Sequence, residues 1–306
     1  MTESLQAAAV RVPCSTSNLG SGYDTIGLAL DRYLDMRFEP GNEPLHLIRD
    51  GTLARLAVEE REDYGAVAFR KVLEAHGAAV TGTLHVASDI PVGRGLGSSA
   101  AAVLAGHDLA RAALGEARSD ESSFAAAYAH EGHGDNAASC LYGGLRAVVP
   151  SSDGPVILEL DLSPEIGFAY AAPSAEVSTQ LARDVLPPDV GHDLAARSLG
   201  RATALVRGLA TGDPELLRIG IEDELHVPHR LPMMPGAYNA IGAGYDVGAW
   251  AVTISGAGSG LIAMCEPKLA AAVADAMHEV FSNGSDDPEC VGFATVPDHE
   301  GLRRVS

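Results

Sequence analysis

A glycine- and serine-rich loop offers the clearest chemistry in the chain. Residues 93–99, GRGLGSS, stand between a short apolar run and an alanine-rich run. Glycines permit positive φ angles and close backbone approach, and a helix start presents free N–H groups and the positive end of its dipole. Serine hydroxyls are oxygen ligands of the kind that Mg²⁺ takes. The loop therefore fits a phosphate site, although a purely structural turn explains it equally well when it is taken alone.

Two further glycine-rich stretches favour the phosphate site, and a third cluster carries polar side chains. Residues 17–27, SNLGSGYDTIG, and 255–260, SGAGSG, are also rich in glycine. Residues 131–139, EGHGDNAAS, contain four side chains with chemical potential: Glu131, His133, Asp135 and Asn136. A solvated helix end is the simpler interpretation of that last cluster. A hard-metal site is the alternative, and zinc is disfavoured because no H-x-x-x-H or C-x-x-C spacing occurs.

The elements that carry these clusters mix strands and helices without strict βαβ alternation, which predicts an α+β fold. Strands are predicted at 7–18, 27–40, 82–91, 145–150, 155–162, 167–173 and 290–296, and a hairpin with a glycine-rich turn at 249–267. Helices are predicted at 63–77, 99–115, 119–134 (capped by Ser119 or Asp120), 178–188, 191–212, 213–230 (stopped by Pro228) and 267–284. A weak break at 151–154 predicts two domains, 1–152 and 153–306.

Composition narrows the class of protein. The chain has 306 residues, of which 46% are hydrophobic, so a sizeable core can form. No apolar run reaches the roughly 18 residues of a membrane helix and no signal peptide is apparent, so we expect a cytoplasmic protein. The formal charge of −20 opposes nucleic acid and anionic membranes. The four scattered cysteines are expected to be reduced and partly buried.

Four segments of the chain together resemble the motifs of a known family. The segments VRVPCSTSNLGSGYD, PVGRGLGSSAAA, EGHGDNAA and TISGAGSG match, in order, the motifs of the GHMP small-molecule kinases. The likeness extends to EVSTQLARDVLP, DPELLRIGIEDELHVPHR and FATVPDHEGLRR, and so covers nearly the whole chain. The combination is specific, whereas each single motif would be weak.

The resemblance implies a two-domain GHMP kinase fold, with an N-terminal ribosomal-S5-domain-2-like domain and a C-terminal ferredoxin-like domain. It implies transfer of the γ-phosphoryl group of ATP to the side-chain hydroxyl of L-homoserine, a step toward threonine, at a site between the domains. Because members of the family are often dimers, a homodimer is expected by analogy.

Roles for individual residues follow from the same resemblance. The nucleotide phosphates would lie on Pro91, Val92, Gly93, Arg94, Gly95, Leu96, Gly97, Ser98, Ser99 and Ala100. Mg²⁺ would be held by Glu131 with Ser98 or Ser99. The amino acid would contact Asn18, Asp24, His133, Asp135, Thr179, Arg183, Arg230 and Gly256. Arg183 and Arg230 suit its carboxylate, because guanidinium groups form planar, charge-assisted forks, and Asp24 or Asp135 suits its ammonium group.

The catalytic positions implied by the motifs are Asn18, Asp24 and Asn136. Mevalonate kinase, a relative, is thought to use an aspartate base and a lysine, but here the corresponding "DN" ends in Asn136 and the first motif contains no lysine. Asn136 cannot accept a proton at neutral pH. This favours attack by the hydroxyl without a dedicated carboxylate base, with the phosphate accepting the proton and Asp24 as an alternative base.

The chain departs from the family pattern at several positions. The usual NLGPGFD reads NLGSGYD, with Ser21 for proline and Tyr23 for phenylalanine, and the usual SGAGPS reads SGAGSG. Gly65 stands where an asparagine near the adenine is expected, which leaves the nucleotide preference open. Two other functions stay open: a GHMP kinase for another small alcohol, and a silent relative that binds a metabolite and regulates.

Overall fold

The computed structural model describes residues 5–283 and 289–305, which form two β-sheets with helices packed on each. The strands are β1 (Ala8–Ser17), β2 (Ile26–Pro44), β3 (His46–Gly51), β4 (Thr81–Ser88), β5 (Leu145–Val149), β6 (Val156–Leu160), β7 (Gly167–Ala172), β8 (Ala251–Ser255), β9 (Gly260–Cys265), β10 (Val291–Thr295) and β11 (Arg303–Val305). The helices are α1 (Tyr64–Ala75), α2 (Ser98–Ala113), α3 (Asp120–Glu131), α4 (Asp135–Tyr142), α5 (Thr179–Asp184), α6 (His192–Thr211), α7 (Pro214–Gly220), α8 (Val227–Arg230), α9 (Ala237–Asp246) and α10 (Ala270–Asn283).

The larger sheet contains seven strands. Its order is β11-β1-β2-β4-β3, and β5 pairs with β2 and with β6. The pairs are antiparallel except for β3 with β4. Helices α1, α2 and α4 cover this sheet: Phe69 of α1 lies 4.9 Å from Phe38 of β2, ring centroid to ring centroid. Helices α1 and α2 touch closely, because a Cβ on Gly106 would meet the Gly65 carbonyl oxygen at 2.0 Å.

The smaller sheet has four antiparallel strands in the order β10-β7-β9-β8. Helices precede β8 and β10 in the chain, which gives the β-α-β-β-α-β arrangement of a ferredoxin-like fold. Its core joins strand residues such as Ile254 and Leu261 to Met277 and Phe281 of α10. The expected two-domain fold with mixed helix and sheet is confirmed.

Most predicted elements are present, including the antiparallel hairpin of β8 and β9. The single helix expected over residues 213–230 is wrong. Helix α7 ends at Gly220, and the Asp223 carboxylate then accepts backbone N–H groups from Leu225, His226 and Val227 to form a turn. Pro228 lies in the first turn of α8, where proline is tolerated because no N–H partner is lost, so it does not stop a helix.

Other differences concern the motif region and the ends of elements. The helix expected over 119–134 ends at Glu131, where Gly132 adopts a left-handed φ of 77° as the C-cap. The following motif residues form α4, which is buried along residues 135–141, so the solvated helix end is also wrong. Elements β3, β11, α4 and α9 were not predicted. Gly284, the last residue of the predicted 267–284 helix, lies outside the described residues.

The predicted break at 151–154 is the turn of the β5–β6 hairpin. Strands β6 and β11, both beyond residue 152, belong to the larger sheet. The division into 1–152 and 153–306 stays a prediction, although the two sheets do not separate at that point. All four cysteines are free and buried. The expected reduced state stays a prediction. Across the described part of the chain, none of the helices has the length and apolarity needed to traverse a bilayer.

Candidate active site

The loop at residues 93–99 has a backbone that strongly favours glycine. Gly93, Gly95 and Gly97 have φ angles of 68°, 73° and 62°. A Cβ on Gly95 would meet the Ser255 carbonyl oxygen at 2.0 Å. Helix α2 begins directly after Gly97, whose position provides no side-chain cap for the first N–H groups. The loop is therefore a cradle with free donors at a helix N-terminus, as anion binding requires.

Hydroxyl groups connect the three glycine-rich motifs. Ser255 Oγ donates to the Gly95 carbonyl oxygen at 2.7 Å, so the 2.8 Å contact with Thr16 Oγ1 is donated by Thr16. Ser259 Oγ donates to the Gly93 carbonyl oxygen at 3.1 Å. The Ser15 N–H also donates to the Leu96 carbonyl oxygen at 3.2 Å. Because β1 and the 255–260 turn both contact the loop, its shape depends on residues far away in sequence.

One cleft collects most of the predicted site. The predicted residues that line it are Asn18, Gly93, Gly95, Leu96, Gly97, Ser98, Ser99, Glu131, His133, Asn136, Thr179, Arg183, Arg230 and Gly256. Val177, Ala257 and Gly258 also line it and were not predicted. Asp24 and Asp135 touch the cleft residues Arg183 and His133.

Four residues of the predicted phosphate segment lie elsewhere. Arg94 donates from Nη1 to the Pro173 carbonyl oxygen, and its own carbonyl accepts from the Tyr170 hydroxyl, so its side chain anchors the loop to β7. Pro91, Val92 and Ala100 do not line the cleft: Ala100 is buried, and Val92 borders a neighbouring cavity.

That neighbouring cavity has a volume of about 460 Å³ and is mainly apolar. It shares Ser98 and Ser99 with the cleft, so the two open onto the same end of α2. Gly65 lines it, at the position expected near the adenine. A flat apolar group attached to phosphates on the loop has room there.

The acidic cluster at residues 131–139 surrounds an imidazole. His133 Nδ1 donates to Asp135 Oδ1 at 2.5 Å, and His133 Nε2 lies 3.6 Å from Glu131 Oε2. Burial lowers the pKa of His133, but the hydrogen bond and charge of Asp135, with Glu131 and Asp24, raise it overall above its ordinary value. Ligand atoms of Asp24, His133 and Asp135 all lie within 4.8 Å of one another. The buried Asp135 Oδ2 has no hydrogen-bond partner within the described structure, so this corner can accept a donor from a bound cationic group.

The two asparagines are fixed by backbone and hydroxyl contacts. Asn18, at a left-handed φ of 58°, donates to the Gly256 carbonyl oxygen at 2.9 Å and accepts from the Asp24 N–H at 2.8 Å. Both ends of its amide therefore shape the loop that holds Asp24. Asn136 Oδ1 accepts from Ser15 Oγ at 2.9 Å, which leaves its Nδ2 end as a donor.

The two predicted carboxylate-binding arginines differ in their surroundings. Arg183 Nη1 and Nη2 donate to the two oxygens of Asp24 at 2.9 Å each. Arg230 is only 2% exposed, and its Nε donates to the Ala182 carbonyl oxygen at 2.9 Å. Arg230 Nη1 lies 3.4 Å from Nδ1 of His226. The helix α5 that holds Arg183 is thus attached at its Ala182 carbonyl to Arg230.

Sequence reasoning missed His226 and Asp223. His226 is fully buried, and its Nε2 donates to the Gly20 carbonyl oxygen at 2.9 Å, so Nδ1 carries the lone pair that faces Arg230. Burial and Arg230 lower the pKa of His226, which opposes the smaller effect of Asp223. Both residues lie in the segment EDELHVPHR that ends at Arg230, which was the available signal.

An uncapped helix start, oxygen donors and two arginines therefore converge in one cleft beside an apolar cavity. The fold and the cleft together define a small-molecule kinase. Residues 63–144 match the family model "GHMP kinases N terminal domain", and residues 205–283 match "GHMP kinases C terminal". The chain is 36% identical to the homoserine kinase of Moorella thermoacetica, over 87% of this chain and 91% of that protein. The chain belongs to the GHMP kinase family and, within it, to the homoserine kinases.

Solved structures agree on the fold. A homoserine kinase from Cytophaga hutchinsonii superposes with a TM-score of 0.82 at 25% identity, covering 98% of this chain and 97% of that one. L. major mevalonate kinase, solved with R-mevalonate, has a TM-score of 0.70 at 15% identity, with 97% of both chains covered. At that identity the second likeness concerns the fold alone.

Proposed function

We propose that this enzyme transfers the γ-phosphoryl group of ATP to the side-chain hydroxyl of L-homoserine and forms O-phospho-L-homoserine. The observation that carries the proposal is the pairing of Arg183 with Asp24 inside the cleft. An α-amino acid carries one carboxylate and one ammonium group. It can therefore replace this ion pair with two new ones, carboxylate on Arg183 and ammonium on Asp24, without leaving a charge unpaired.

Three further features support an amino-acid acceptor. Arg230 supplies a second guanidinium on the cleft wall. Thr179 adds a hydroxyl at the start of α5. The unpartnered Asp135 Oδ2 offers an acceptor for an ammonium proton. Mevalonate and galactose carry no ammonium group, so Asp135 Oδ2 would remain without a partner.

The residues present fit ATP and Mg²⁺. The glycine cradle and the N–H groups of α2 suit the phosphates, and the apolar cavity suits the nucleoside. Glu131, 9% exposed at its side chain, lies on the same cleft as Ser98 and Ser99, which gives hard oxygen donors for Mg²⁺. When bound, the ion would neutralise phosphate charge, which a chain of net charge −20 otherwise repels.

The protein's part in the transfer is positioning and charge neutralisation rather than proton abstraction. Without substrate, both oxygens of Asp24 accept hydrogen bonds from Arg183. With substrate bound, they would face its ammonium group, so Asp24 is poorly suited as a base in either state. Asn136 can donate from Nδ2 toward the acceptor hydroxyl or a phosphate oxygen, but it cannot take a proton. The hydroxyl proton accordingly goes to the phosphate.

The cytoplasm as compartment and a homodimer as assembly remain predictions.

Release of ADP, measured over a panel of alcohols, tests the proposal. Turnover should be high with L-homoserine and close to background with mevalonate and galactose. Equal turnover of another alcohol would instead favour a GHMP kinase with a different acceptor. Loss of all turnover in a protein that still binds L-homoserine would favour the silent relative, which the intact loop and Glu131 argue against.

A further inference from the structure

Tyr23 connects the two arginines of the cleft. Its hydroxyl accepts a hydrogen bond from Arg183 Nη1 at 3.2 Å, and the guanidinium carbon of Arg230 lies 5.1 Å from the centroid of its ring. The same ring stacks on His226 with centroids 5.0 Å apart and planes 25° from parallel. Tyr23 occupies the position where the family pattern has phenylalanine, which has the ring but lacks the hydroxyl.

The hydrogen bond between the Tyr23 hydroxyl and Arg183 matters most when substrate is bound. Arg183 is held by three hydrogen bonds, two to Asp24 and one to Tyr23. If the substrate replaces Asp24 on Arg183, both bonds to Asp24 are lost. The Tyr23 hydroxyl is then the protein acceptor that still orients the guanidinium. Arginine has several flexible torsions, so an acceptor that fixes its fork lowers the entropy cost of binding a carboxylate.

We propose that Tyr23 is a positioning residue for the acceptor's carboxylate: its hydroxyl orients Arg183 and its ring supports Arg230. This inference rests on the proposed function, because it concerns the same carboxylate. It assigns different effects to the two parts of the side chain. Removal of the hydroxyl takes away an acceptor of Arg183, whereas the ring contact with Arg230 and His226 survives in phenylalanine.

Tyr23→Phe tests the hydroxyl. We expect the KM for L-homoserine to rise about three- to tenfold, the value of one net hydrogen bond, while kcat, the KM for ATP and the Tm stay near wild type. Tyr33→Phe is the matched control. The Tyr33 hydroxyl is also hydrogen-bonded to a charged side chain, donating to Asp298 Oδ2 at 3.0 Å, and its ring also lies 5.1 Å from a guanidinium carbon, that of Arg303. Neither of these partners lines the cleft, whereas Arg183 and Arg230 do.

A double-mutant cycle separates positioning from a general structural effect. In the Arg183→Ala protein, Tyr23→Phe should leave kcat/KM for L-homoserine unchanged, because the group that it orients is gone. An equal loss in both backgrounds, an unchanged KM in the single variant, or parallel rises in both KM values would overturn the inference while the proposed function stands. A wild-type enzyme that does not phosphorylate L-homoserine would overturn the proposed function and this inference together.

Discussion

Arg183 and Asp24 face each other as a two-pronged ion pair, with both donor–acceptor distances at 2.9 Å. They come from different parts of the chain: Asp24 from the turn after β1, and Arg183 from helix α5. Each side chain is about one-third exposed, so the pair is accessible from the cleft. Before substrate binds, the two groups proposed to hold its charges neutralise each other.

Arg183→Ala should raise the KM for L-homoserine, because the substrate carboxylate loses its partner. A charge-assisted contact contributes about 1.5–3 kcal/mol, or on the order of ten- to over a hundredfold in affinity. The KM for ATP should change much less. Steady-state kinetics with each substrate varied in turn makes the measurement. If both KM values rise together, or neither does, Arg183 has only a structural role.

The exchange of ion pairs also predicts which acceptors fail. 4-Hydroxybutyrate lacks the ammonium group of L-homoserine, and 3-aminopropan-1-ol lacks its carboxylate. Each would break the Arg183–Asp24 pair and restore only one half of it. We expect kcat/KM for both compounds to fall at least about tenfold below that for L-homoserine. Comparable values for the amino acid and for either analogue would exclude the exchange.

Local signals in the sequence singled out many residues that line one cleft. Glycine spacing and motif order drew attention to most of the 93–99 loop, to Gly256 and to Arg183, and the structure brings these residues together. Helix α4 was missed because its eight residues, DNAASCLY, are few and are polar at one end, and its burial comes from packing against β1, β2 and α2. Tertiary contacts, not periodicity, decide such a segment.

The surroundings of His226 likewise depend on tertiary contacts that the local sequence pattern does not show. Apolar spacing over residues 213–230 favoured one helix, but Gly220 is closely packed, since a Cβ there would meet Leu205 Cα at 2.5 Å. The Asp223 carboxylate then redirects the chain. The bond from His226 to the Gly20 carbonyl oxygen spans 206 positions in sequence. No local pattern reports a contact between segments so far apart.

Gly95→Ala should abolish turnover, because its Cβ would have to displace the backbone at Ser255 and hence the phosphate loop. We expect kcat/KM for ATP to fall at least about a hundredfold, on the scale of a misplaced catalytic group. Gly77→Ala is the control. Gly77 also has a positive φ, 64°, but nothing lies within 4 Å of the added Cβ, so only backbone strain of about 1–2 kcal/mol is expected. Normal ATP kinetics in Gly95→Ala would contradict the proposed binding of the nucleotide phosphates by the 93–99 loop.

Stability should depend on His226 at mildly acidic pH. Burial and Arg230 lower its pKa in the folded protein, so the neutral form is favoured there. Its contribution to stability is therefore fully present above the unfolded pKa of about 6.5 and is lost as pH falls through the lower folded value. Asp223, 3.7 Å from Nε2, and Asp24 oppose the shift, and Tyr23 stacks on the ring.

Thermal melting at pH 7.5 and 5.5 measures this dependence. His226→Gln should show a smaller loss of Tm between the two pH values than wild type, since glutamine does not titrate. His192→Gln, at an exposed position, should keep the wild-type loss. Identical pH dependence in wild type and His226→Gln would show that other groups account for the acid sensitivity.

Glu131→Gln tests the proposed Mg²⁺ ligand. The substitution keeps the shape and one oxygen of the side chain but removes its negative charge, so turnover should collapse and the Mg²⁺ concentration for half-maximal activity should rise. Glu131 is the last residue of α3, where a negative charge opposes the helix dipole by about 0.3–1 kcal/mol. Loss of that charge should therefore leave the Tm unchanged or slightly higher, despite the nearby His133. Glu121→Gln, exposed in the first turn of the same helix, should keep normal turnover and lose a little stability. Normal turnover of Glu131→Gln at low Mg²⁺ would rule out a metal role for this carboxylate, whatever its melting temperature.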